Sequence, residues 1–381
     1  MAVYLDSSAS TQLLPQAREA LKNYYDKEYA LANANALHSF GRANNKDFEA
    51  ARKTVAKALG AHMPSEIIFT GGGTEADNFA LYGLSVAKRN TDGKRTKVII
   101  SNFEHGAIAS CVTPLKLVGF DLEYVEADRY GFIEPEALEK VMSDEVALVS
   151  IMLTNNELGT VQPIQELAQV AHKHGALFHT DAIQGFTHVP FNVEESGVDA
   201  ASITAHKFGG PIGIGALYLR RGTQIQAFLY GGGQEHGKRS GTQDVAGALA
   251  MAAAAKYQID NFDENFKDIK EKSDYIYKRL CKSGKFVRAV ELKDGKTYHP
   301  GMVAVFCKTT NSEDLLLKLD EAGFYVSAGS ACSAGSLEMS KTMKAIKANP
   351  KLVQGQLRIS FDERISFDDI KAFCDCILEL A

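Results

Sequence analysis

A lysine at position 207 has the sequence surroundings of a nucleophile. An apolar run ends in Thr204-Ala-His-Lys207, and a glycine-rich turn then leads to a second strand-like run at 216–219. No acidic residue occurs between Asp199 and Glu235, so the nearby sequence offers no salt-bridge partner. A buried lysine loses hydration of its charged form, and a neutral amine can form a Schiff base with a carbonyl group. The alternative is a hydrated lysine in an ordinary hairpin turn.

A carboxylate and a glycine turn elsewhere in the chain add to this chemistry. Asp181 ends an apolar run that begins at Ala176, and glycines 71–73 lie between a strand-like run and a helix start at Thr74. Main-chain N–H groups at such a turn bind anions, and the P-loop pattern is missing, so we predict a single phosphate there. Pyridoxal phosphate (PLP) requires a lysine, a carboxylate for its ring nitrogen and a phosphate site. Taken singly, Asp181 could be a helix cap and the glycines a plain turn.

Three further polar side chains follow strand-like runs or lie on them. His105 could stack on a cofactor ring or move protons, although a lone histidine is often structural. Asn156 lies in an Asn-rich stretch whose amides could hold a ring oxygen, or which could be an ordinary turn. Arg358 alternates with Leu357 and Ile359, so on the other face it could clamp a substrate carboxylate or meet solvent.

The stretch 327–336 is built almost entirely of small residues and carries Cys332 at its centre. Such a loop has little to anchor it, and buried structural cysteines rarely have surroundings of this kind. We therefore predict a reactive thiol on a mobile loop, with an incidental surface thiol as the alternative. The six cysteines form no Cys-x-x-Cys pair, so we predict neither a disulfide framework nor a metal site.

Composition is that of an ordinary globular protein. The 381 residues are 45% hydrophobic and 23% charged, with a formal net charge of −5. This balance gives no basic footprint for nucleic acid or for an anionic membrane. The first residues lack a signal-peptide pattern, and the longest small-apolar run, 245–255, is too short to span a bilayer. We predict a cytoplasmic protein.

The pattern of elements predicts an α/β fold that would gather these side chains. Between residues 67 and 219 short apolar runs alternate with helical patterns, which is typical of a mostly parallel sheet flanked by helices. Ligands bind at the carboxyl ends of the strands in such sheets. Upstream we expect helices at 15–25 and 44–59, with a loop at 29–40. Near Tyr257 an Ala-rich helix gives way to a charged one, and we place a domain boundary there.

Taken together, the motifs resemble those of cysteine desulfurases of the NifS/IscS type, which are class V aminotransferase-like enzymes of PLP fold type I. The motifs are Thr70-Gly-Gly-Gly-Thr-Glu75, Glu104-His105, Asn155-Asn-Glu-Leu-Gly159, Asp181-Ala-Ile-Gln184, Ala205-His-Lys207, Gly231-Gly-Gly-Gln-Glu-His-Gly-Lys-Arg-Ser-Gly-Thr242 and Gly329-Ser-Ala-Cys332. They follow the family's order along the chain. The resemblance implies a large PLP-binding domain, residues 15–257, and a smaller α+β domain, residues 1–14 and 258–381, that carries the Cys332 loop.

The resemblance also implies roles for single residues. Lys207 would bond covalently to PLP, Asp181 would pair with the ring nitrogen, and His105 would stack on the ring and take part in catalysis. Asn156 and Gln184 would contact the 3-oxygen of the ring. The phosphate would be held by Gly73, Thr74, Thr204 and His206, with Thr242 reaching in from the partner subunit of a homodimer.

For the substrate, the resemblance implies L-cysteine. Cys332 would take its sulfur as a persulfide and leave L-alanine, while Arg358 and Asn156 would bind the substrate. The sulfur would pass to an acceptor, such as an iron–sulfur scaffold or a tRNA-thiolation protein. Gly71 and Gly73 depart from the family pattern of Ser and Ala, and we expect this to loosen the phosphate turn.

Two other classes of function stay open at this point. A related PLP enzyme could act on another amino acid, as a selenocysteine lyase, a cysteine-sulfinate desulfinase or an aminotransferase. Cys332 argues against a plain aminotransferase, which needs no thiol. A non-catalytic interaction subunit with the same fold is the second class, although such a subunit would need neither Lys207 nor Cys332.

Overall fold

The protein is described here by a computed structural model that covers residues 2–329 and 339–381. The strands within these residues are β1 Val3–Tyr4, β2 Ile67–Thr70, β3 Lys97–Ser101, β4 Asp121–Val125, β5 Val146–Ser150, β6 Leu177–Asp181, β7 Ala200–Thr204, β8 Gly215–Leu219, β9 Phe286–Arg288, β10 Met302–Cys307, β11 Phe324–Tyr325 and β12 Gln356–Ser360. The helices are α1 Pro15–Tyr25, α2 Ser39–Leu59, α3 Gly73–Asp92, α4 Gly106–Ser110, α5 Val112–Leu117, α6 Pro135–Glu139, α7 Ile164–Lys173, α8 Val193–Ser196, α9 Val245–Asp260, α10 Phe262–Lys282, α11 Ser312–Glu321, α12 Lys341–Ala345, α13 Pro350–Val353 and α14 Phe367–Leu380.

The large sheet has seven strands in the order β2-β8-β7-β6-β5-β3-β4. β8 is antiparallel to β2 and to β7, whereas the other neighbouring pairs of this sheet are parallel. The carboxyl ends of β2, β3, β5, β6 and β7 therefore lie along one edge. This arrangement confirms the predicted α/β fold with its mostly parallel sheet.

Both faces of the large sheet are buried. In β2, Phe69 belongs to one hydrophobic core and Ile68 to another, because successive side chains of a strand point to opposite faces. Met251 of α9 packs in the first core, and Phe79 of α3 packs in the second. Helices on both faces are what a buried, parallel sheet requires.

A second, smaller sheet follows in the chain. Its strand order is β12-β10-β9, and both neighbouring pairs are antiparallel. In a separate two-stranded sheet, β1 pairs in parallel with β11. A separate hydrophobic core there combines Val3 and Leu5 with Val305, Leu357 and Phe373. The predicted division into two domains stays a prediction, and α9 continues three residues beyond its proposed boundary at 257.

Two element boundaries differ from the sequence prediction. Helix α2 begins at Ser39 rather than at residue 44, and the His38 ring accepts a hydrogen bond from the Gly41 N–H at 3.1 Å. Histidine is not among the preferred N-cap residues, so the start was missed. The helical pattern over residues 107–118 forms two helices, α4 and α5, that are separated at Cys111. Among the described residues, no helix is long and apolar enough to cross a membrane.

Candidate active site

A cavity of about 240 Å³ lies at the sheet edge where β2, β3, β5, β6 and β7 end. The predicted residues that line it are Gly73, Thr74, His105, Asn156, Asp181, Gln184, Thr204, His206, Lys207 and Arg358. The lining is completed by Ser8, Ala9, Met152, Thr154 and Ile183. Residues far apart in sequence converge here because the carboxyl ends of parallel strands share one edge.

Among the described residues, one predicted site residue is not part of this cavity lining. Thr242 lines a different depression, together with Gly71 and Arg239. Cys332 falls outside the residues that the structure describes. The predicted roles of Thr242 and Cys332 therefore stay predictions.

Lys207 occupies the connection of the β7–β8 hairpin and also reaches the cavity. Its Nζ donates hydrogen bonds to the main-chain carbonyls of Ser8, at 2.5 Å, and Ala9, at 2.9 Å. Behind it, His188 Nε2 donates to the Lys207 carbonyl at 2.9 Å, and the His188 and His299 ring centroids are 4.9 Å apart. The lysine is thus held from both ends, which leaves its amine at a defined place in the cavity.

The segment 6–11 connects this lysine turn to the smaller sheet. The Thr11 N–H donates to the His206 carbonyl at 2.8 Å, and the Ser8 N–H donates to the Ser360 hydroxyl at 3.0 Å. Sequence analysis missed this segment, because its contribution to Lys207 comes from main-chain carbonyls, which leave no residue-type signal.

Asp181 ends β6 and is 4% exposed. Its Oδ1 accepts a hydrogen bond from the Ile183 N–H at 2.9 Å. Burial raises the pKa of Asp181, while His105 and Lys207 oppose that rise through their charges. A carboxylate in this place can pair with a cationic ring nitrogen, because such a partner would replace the water that burial has removed.

Polar groups beneath Asp181 are held in their neutral forms. His179 is paired with the hydroxyls of Ser150, at 2.9 Å, and Ser202, at 3.0 Å, and burial lowers its pKa to about 3. Glu104 accepts the Ser101 hydroxyl at 2.5 Å, and burial raises its pKa to about 8. At neutral pH His179 is uncharged and most Glu104 is protonated.

The turn before α3 offers an anion site. Gly72 has φ of +149°, a backbone conformation that side chains disfavour. The N–H groups in the first turn of a helix have no acceptor within the helix, so those of Gly73 and Thr74 can bind an anion. A Cβ on Gly73 would lie 2.3 Å from the Ile183 Cδ1. Ile183 thus occupies the space that an alanine at this position would need, and the expected loosening of the turn stays a prediction.

Two other predicted phosphate ligands already have partners. The Thr204 hydroxyl donates to the Ile214 carbonyl at 3.2 Å, and His206 Nδ1 lies 3.2 Å from the Ser10 hydroxyl. Burial, and then the charge of Lys207, lowers the pKa of His206 to about 4. At neutral pH His206 can therefore serve a phosphate only as a neutral N–H donor.

Arg358 on β12 is buried, with 2% of its surface exposed, so it is not the solvent-facing arginine of the alternative. One terminal nitrogen donates to the Asn156 carbonyl and the other to the Asp6 carboxylate, each at 2.8 Å. Its Nε has no hydrogen-bond partner among the described residues. Arg358 also lines the cavity, so its guanidinium is a candidate for binding an anionic group there.

The remaining lining residues surround the middle of the cavity. His105 caps α4, and its Nδ1 accepts the Ala107 N–H at 3.2 Å. Gln184 donates through Nε2 to the Ser8 carbonyl at 2.7 Å. Ile183 was missed by sequence analysis, and its position between Asp181 and Gln184 was the available signal.

Comparison with known proteins agrees with this fold and cavity. The family model for class V aminotransferases matches residues 3–373. A relative from Dictyoglomus turgidum, described as cysteine desulfurase IscS, is 39% identical over 98% of this chain and 93% of its own length. Among solved structures, a NifS-like protein has a TM-score of 0.90 and 32% identity, covering 100% of this chain and 99% of that one. A structure described as SspA in complex with cysteine has a TM-score of 0.79 and 30% identity, covering 94% and 98%.

The chain therefore belongs to the class V aminotransferase family. Within that family, its similarity is to proteins described as cysteine desulfurases, and the match extends over nearly the whole of each chain.

Proposed function

We propose that the protein is a PLP-dependent L-cysteine desulfurase, which converts L-cysteine to L-alanine and passes the sulfur through its own thiol to an acceptor. The observation that carries the proposal is the arrangement of Lys207, Asp181 and Arg358 around one cavity. An amine, a buried carboxylate and a guanidinium all line the same space. The full-length similarity to cysteine desulfurases agrees with it.

The residues of the cavity fit PLP. The first turn of α3 suits its phosphate, Asp181 suits its ring nitrogen, and Lys207 Nζ is the amine to which its aldehyde carbon would bond. His105 would lie against the ring, and Gln184 with Asn156 would face its 3-oxygen. When bound, PLP supplies an electron sink for the carbon atoms of the substrate.

The chain's own residues would then position the substrate and move its protons. Arg358 would hold the carboxylate of L-cysteine, since its guanidinium lines the cavity. Asp6 and Asn156 fix the guanidinium from the other side, so its orientation is set before the substrate arrives. Lys207 and His105 both line the cavity, so they could accept the proton that the substrate carbon must lose and later return one to the carbon that keeps the C–S electron pair.

Sulfur transfer needs a second thiol, and we assign that role to Cys332. Its thiolate would attack the sulfur of the substrate, so that an S–S bond forms and the C–S bond breaks. The electron pair of the C–S bond stays on carbon and is later protonated, which yields L-alanine. Cysteine and a thiol give alanine and a persulfide, so the step balances without an outside oxidant.

The test is the release of sulfide and alanine by purified, PLP-loaded protein that receives L-cysteine and a reductant. Cys332→Ser is compared with Cys376→Ser, which removes a partly exposed thiol elsewhere. We expect equal amounts of the two products, lost only with Cys332→Ser. Alanine formation that survives Cys332→Ser would instead indicate a lyase or desulfinase. No product from any variant would favour the interaction subunit.

We also propose a homodimer in which Thr242 serves the cavity of the partner subunit. Asn35 and Gln243 are joined by a side-chain hydrogen bond of 2.9 Å, so the stretch before α2 lies beside the one that carries Thr242. Large apolar side chains are exposed on these and neighbouring stretches, at Leu31, Leu37, Phe228, Leu229 and Tyr230. Exposed apolar surface of this kind is typical of interfaces. The acceptor protein and the cytoplasmic location stay predictions.

A further inference from the structure

Asp77 is a buried carboxyl group for which the proposed mechanism has no use. It lies on α3 with 0% of its surface exposed, and neither carboxyl oxygen has a hydrogen-bond partner of normal geometry among the described residues. A buried polar group without a partner is rare, and a buried anion without donors is more costly still. The buried surroundings of Asp77 would therefore stabilise its ionised form poorly.

The nearest polar neighbours of Asp77 belong to the active site. Side-chain atoms of Asp77, Asp181 and His105 all lie within 4.8 Å of one another. His179 Nε2 is 3.9 Å from Asp77 Oδ1, but His179 is neutral because burial lowers its pKa to about 3. The titratable and charged groups that face this pair from the surrounding elements are Glu104, His105, Cys111, His179 and Lys207.

The surroundings of the two carboxyl groups decide which one keeps a proton. Asp181 accepts a main-chain N–H from Ile183, reaches the cavity, and has Lys207 and His105 nearby to favour its ionised form. Asp77 has no main-chain donor of this kind among the described residues. Burial and then the Asp181 charge raise its pKa well above the ordinary range, although the Ser202 hydroxyl opposes that rise. When two carboxyl groups share a site, their surroundings push their proton affinities apart.

We propose that Asp77 is a positioning residue for Asp181: its carboxyl group stays protonated and donates a hydrogen bond to the Asp181 carboxylate. The pair then carries one proton and one negative charge, and the charge lies on the oxygen that faces the cavity. This inference rests on the proposed function, since Asp181 acts there as the partner of the PLP ring nitrogen. Asp77 itself touches neither cofactor nor substrate.

The first test measures the PLP dissociation constant from pH 5 to pH 9 in wild type, Asp77→Asn and Asp77→Leu. The acidic midpoint is the pH at which PLP binding is half lost on the acidic side. Asp77→Asn keeps a neutral hydrogen-bond donor, so this midpoint should match that of wild type within about 0.3 pH unit. Asp77→Leu removes a hydrogen bond to a charged group, so the midpoint should rise by about one to two pH units.

The opposite sign would overturn the proposal. If Asp77 were ionised, both substitutions would remove a negative charge beside Asp181 and would lower the midpoint. A midpoint that stays unchanged in Asp77→Leu would overturn it as well. If Asp77→Leu does not fold, Asp77→Asn still tests the proposal. An unchanged midpoint supports a protonated Asp77, and a lowered midpoint contradicts it.

The second test does not depend on PLP. The infrared C=O band of a protonated carboxyl group, recognised by its shift in heavy water, is measured on cofactor-free protein at neutral pH. Glu104→Gln serves as the background, because Glu104 contributes a neutral carboxyl of its own. The band should persist in Glu104→Gln and disappear in Glu104→Gln with Asp77→Asn; its absence from Glu104→Gln would overturn the proposal. If neither wild type nor any variant binds PLP, but the band is lost with Asp77→Asn, the proposed function is wrong and the protonated state of Asp77 is supported.

Discussion

At the scale of single residues, only some of the N–H donors of the buried Arg358 guanidinium have hydrogen-bond partners among the described residues. Asp6 and the Asn156 carbonyl accept hydrogen bonds from its terminal nitrogens, and Nε has no partner among residues 2–329 and 339–381. The N–H donors of arginine lie on three nitrogens of a rigid plane, so they can bind separate partners. A lysine ammonium carries all of its donors on one nitrogen. Because Arg358 lines the cavity, we expect its guanidinium to bind the carboxylate of the substrate.

Arg358→Lys should raise the KM for L-cysteine about 10-fold or more, because a charge-assisted contact of roughly 1.5–3 kcal/mol is lost or weakened. The turnover number should change less. Steady-state kinetics with L-cysteine check this, and the absorbance of bound PLP serves as the control for an intact cofactor site. An unchanged KM would show that the carboxylate binds elsewhere.

Sequence analysis predicted most of the cavity lining because those residues are polar types at the ends of strands. Lys207, Asp181 and His105 were found in this way. Asp77 was not, since its carboxyl group lies inside a helix whose sequence gives no reason to single it out. Ser8 and Ala9 were missed for a different reason: they hold Lys207 through main-chain carbonyls, and any residue type can supply those.

At the scale of elements, the turn before α3 and the turn after β6 are packed against each other. Gly73 and Ile183 share one volume, since a Cβ at residue 73 would lie 2.3 Å from Ile183 Cδ1 and 3.3 Å from Thr204 Cβ. Ile183 can rotate, but it lines the cavity, so its movement would take space from a ligand.

Gly73→Ala should weaken PLP binding about 10-fold, because overpacking of this kind costs on the order of 1–3 kcal/mol. Ile183→Val alone should have little effect, and the double variant should recover most of the loss. PLP dissociation constants of the three variants form a double-mutant cycle. Additive effects in that cycle would contradict the shared volume.

Element types were predictable, because the alternation of apolar runs and helical patterns is strong between residues 67 and 219. Boundaries were less so. The start of α2 depends on a His38 cap that propensity does not favour. The break at Cys111 did have a signal, because Pro114 lacks an N–H and its ring clashes with the carbonyl four residues earlier. The cavity volume beside Gly73 depends on a side chain more than 100 residues away, which a local pattern cannot reveal.

At the scale of the whole molecule, buried histidines link stability to pH. Burial lowers the pKa of His188, and it lowers that of His299 well below its usual value, while Lys207 and Asp362 also face His188. A histidine that is neutral in the folded state and binds a proton when unfolded makes stability fall as the pH drops below about 6.5. Buried carboxyl groups with raised pKa values, such as Glu104, act in the opposite direction.

His299→Asn should therefore reduce the loss of stability between pH 6 and pH 5 by up to about 1.4 kcal/mol per pH unit. An asparagine oxygen can still accept the Gly301 N–H that His299 Nδ1 accepts at 3.0 Å. Urea unfolding at both pH values gives the slopes. His62→Asn, at an exposed position, is the matched control and should leave the slope as in wild type. Equal slopes for wild type and His299→Asn would contradict the prediction.

The proposed dimer can be tested by mixing subunits. A heterodimer of Lys207→Ala and Thr242→Ala chains has one fully intact cavity if Thr242 serves the partner, and none if it serves its own subunit. We therefore expect such heterodimers to regain about half of the wild-type activity when neither homodimer is active. Activity no higher than that of the homodimers would place Thr242 within its own subunit's site, or outside the site altogether.

The segment 6–11 has a consequence for how the protein is made. Asp6 pairs with Arg358, and Ser8 with Ser360, in each case across 352 positions of the chain. A ribosome produces one partner of each pair long before the other, so a nascent chain could complete the large sheet and still lack a finished substrate site. Closing so long a loop is entropically costly and is expected late in folding. Enzyme activity would thus appear only after nearly the whole chain has been synthesised. Shorter chains would contain the large sheet but no complete site.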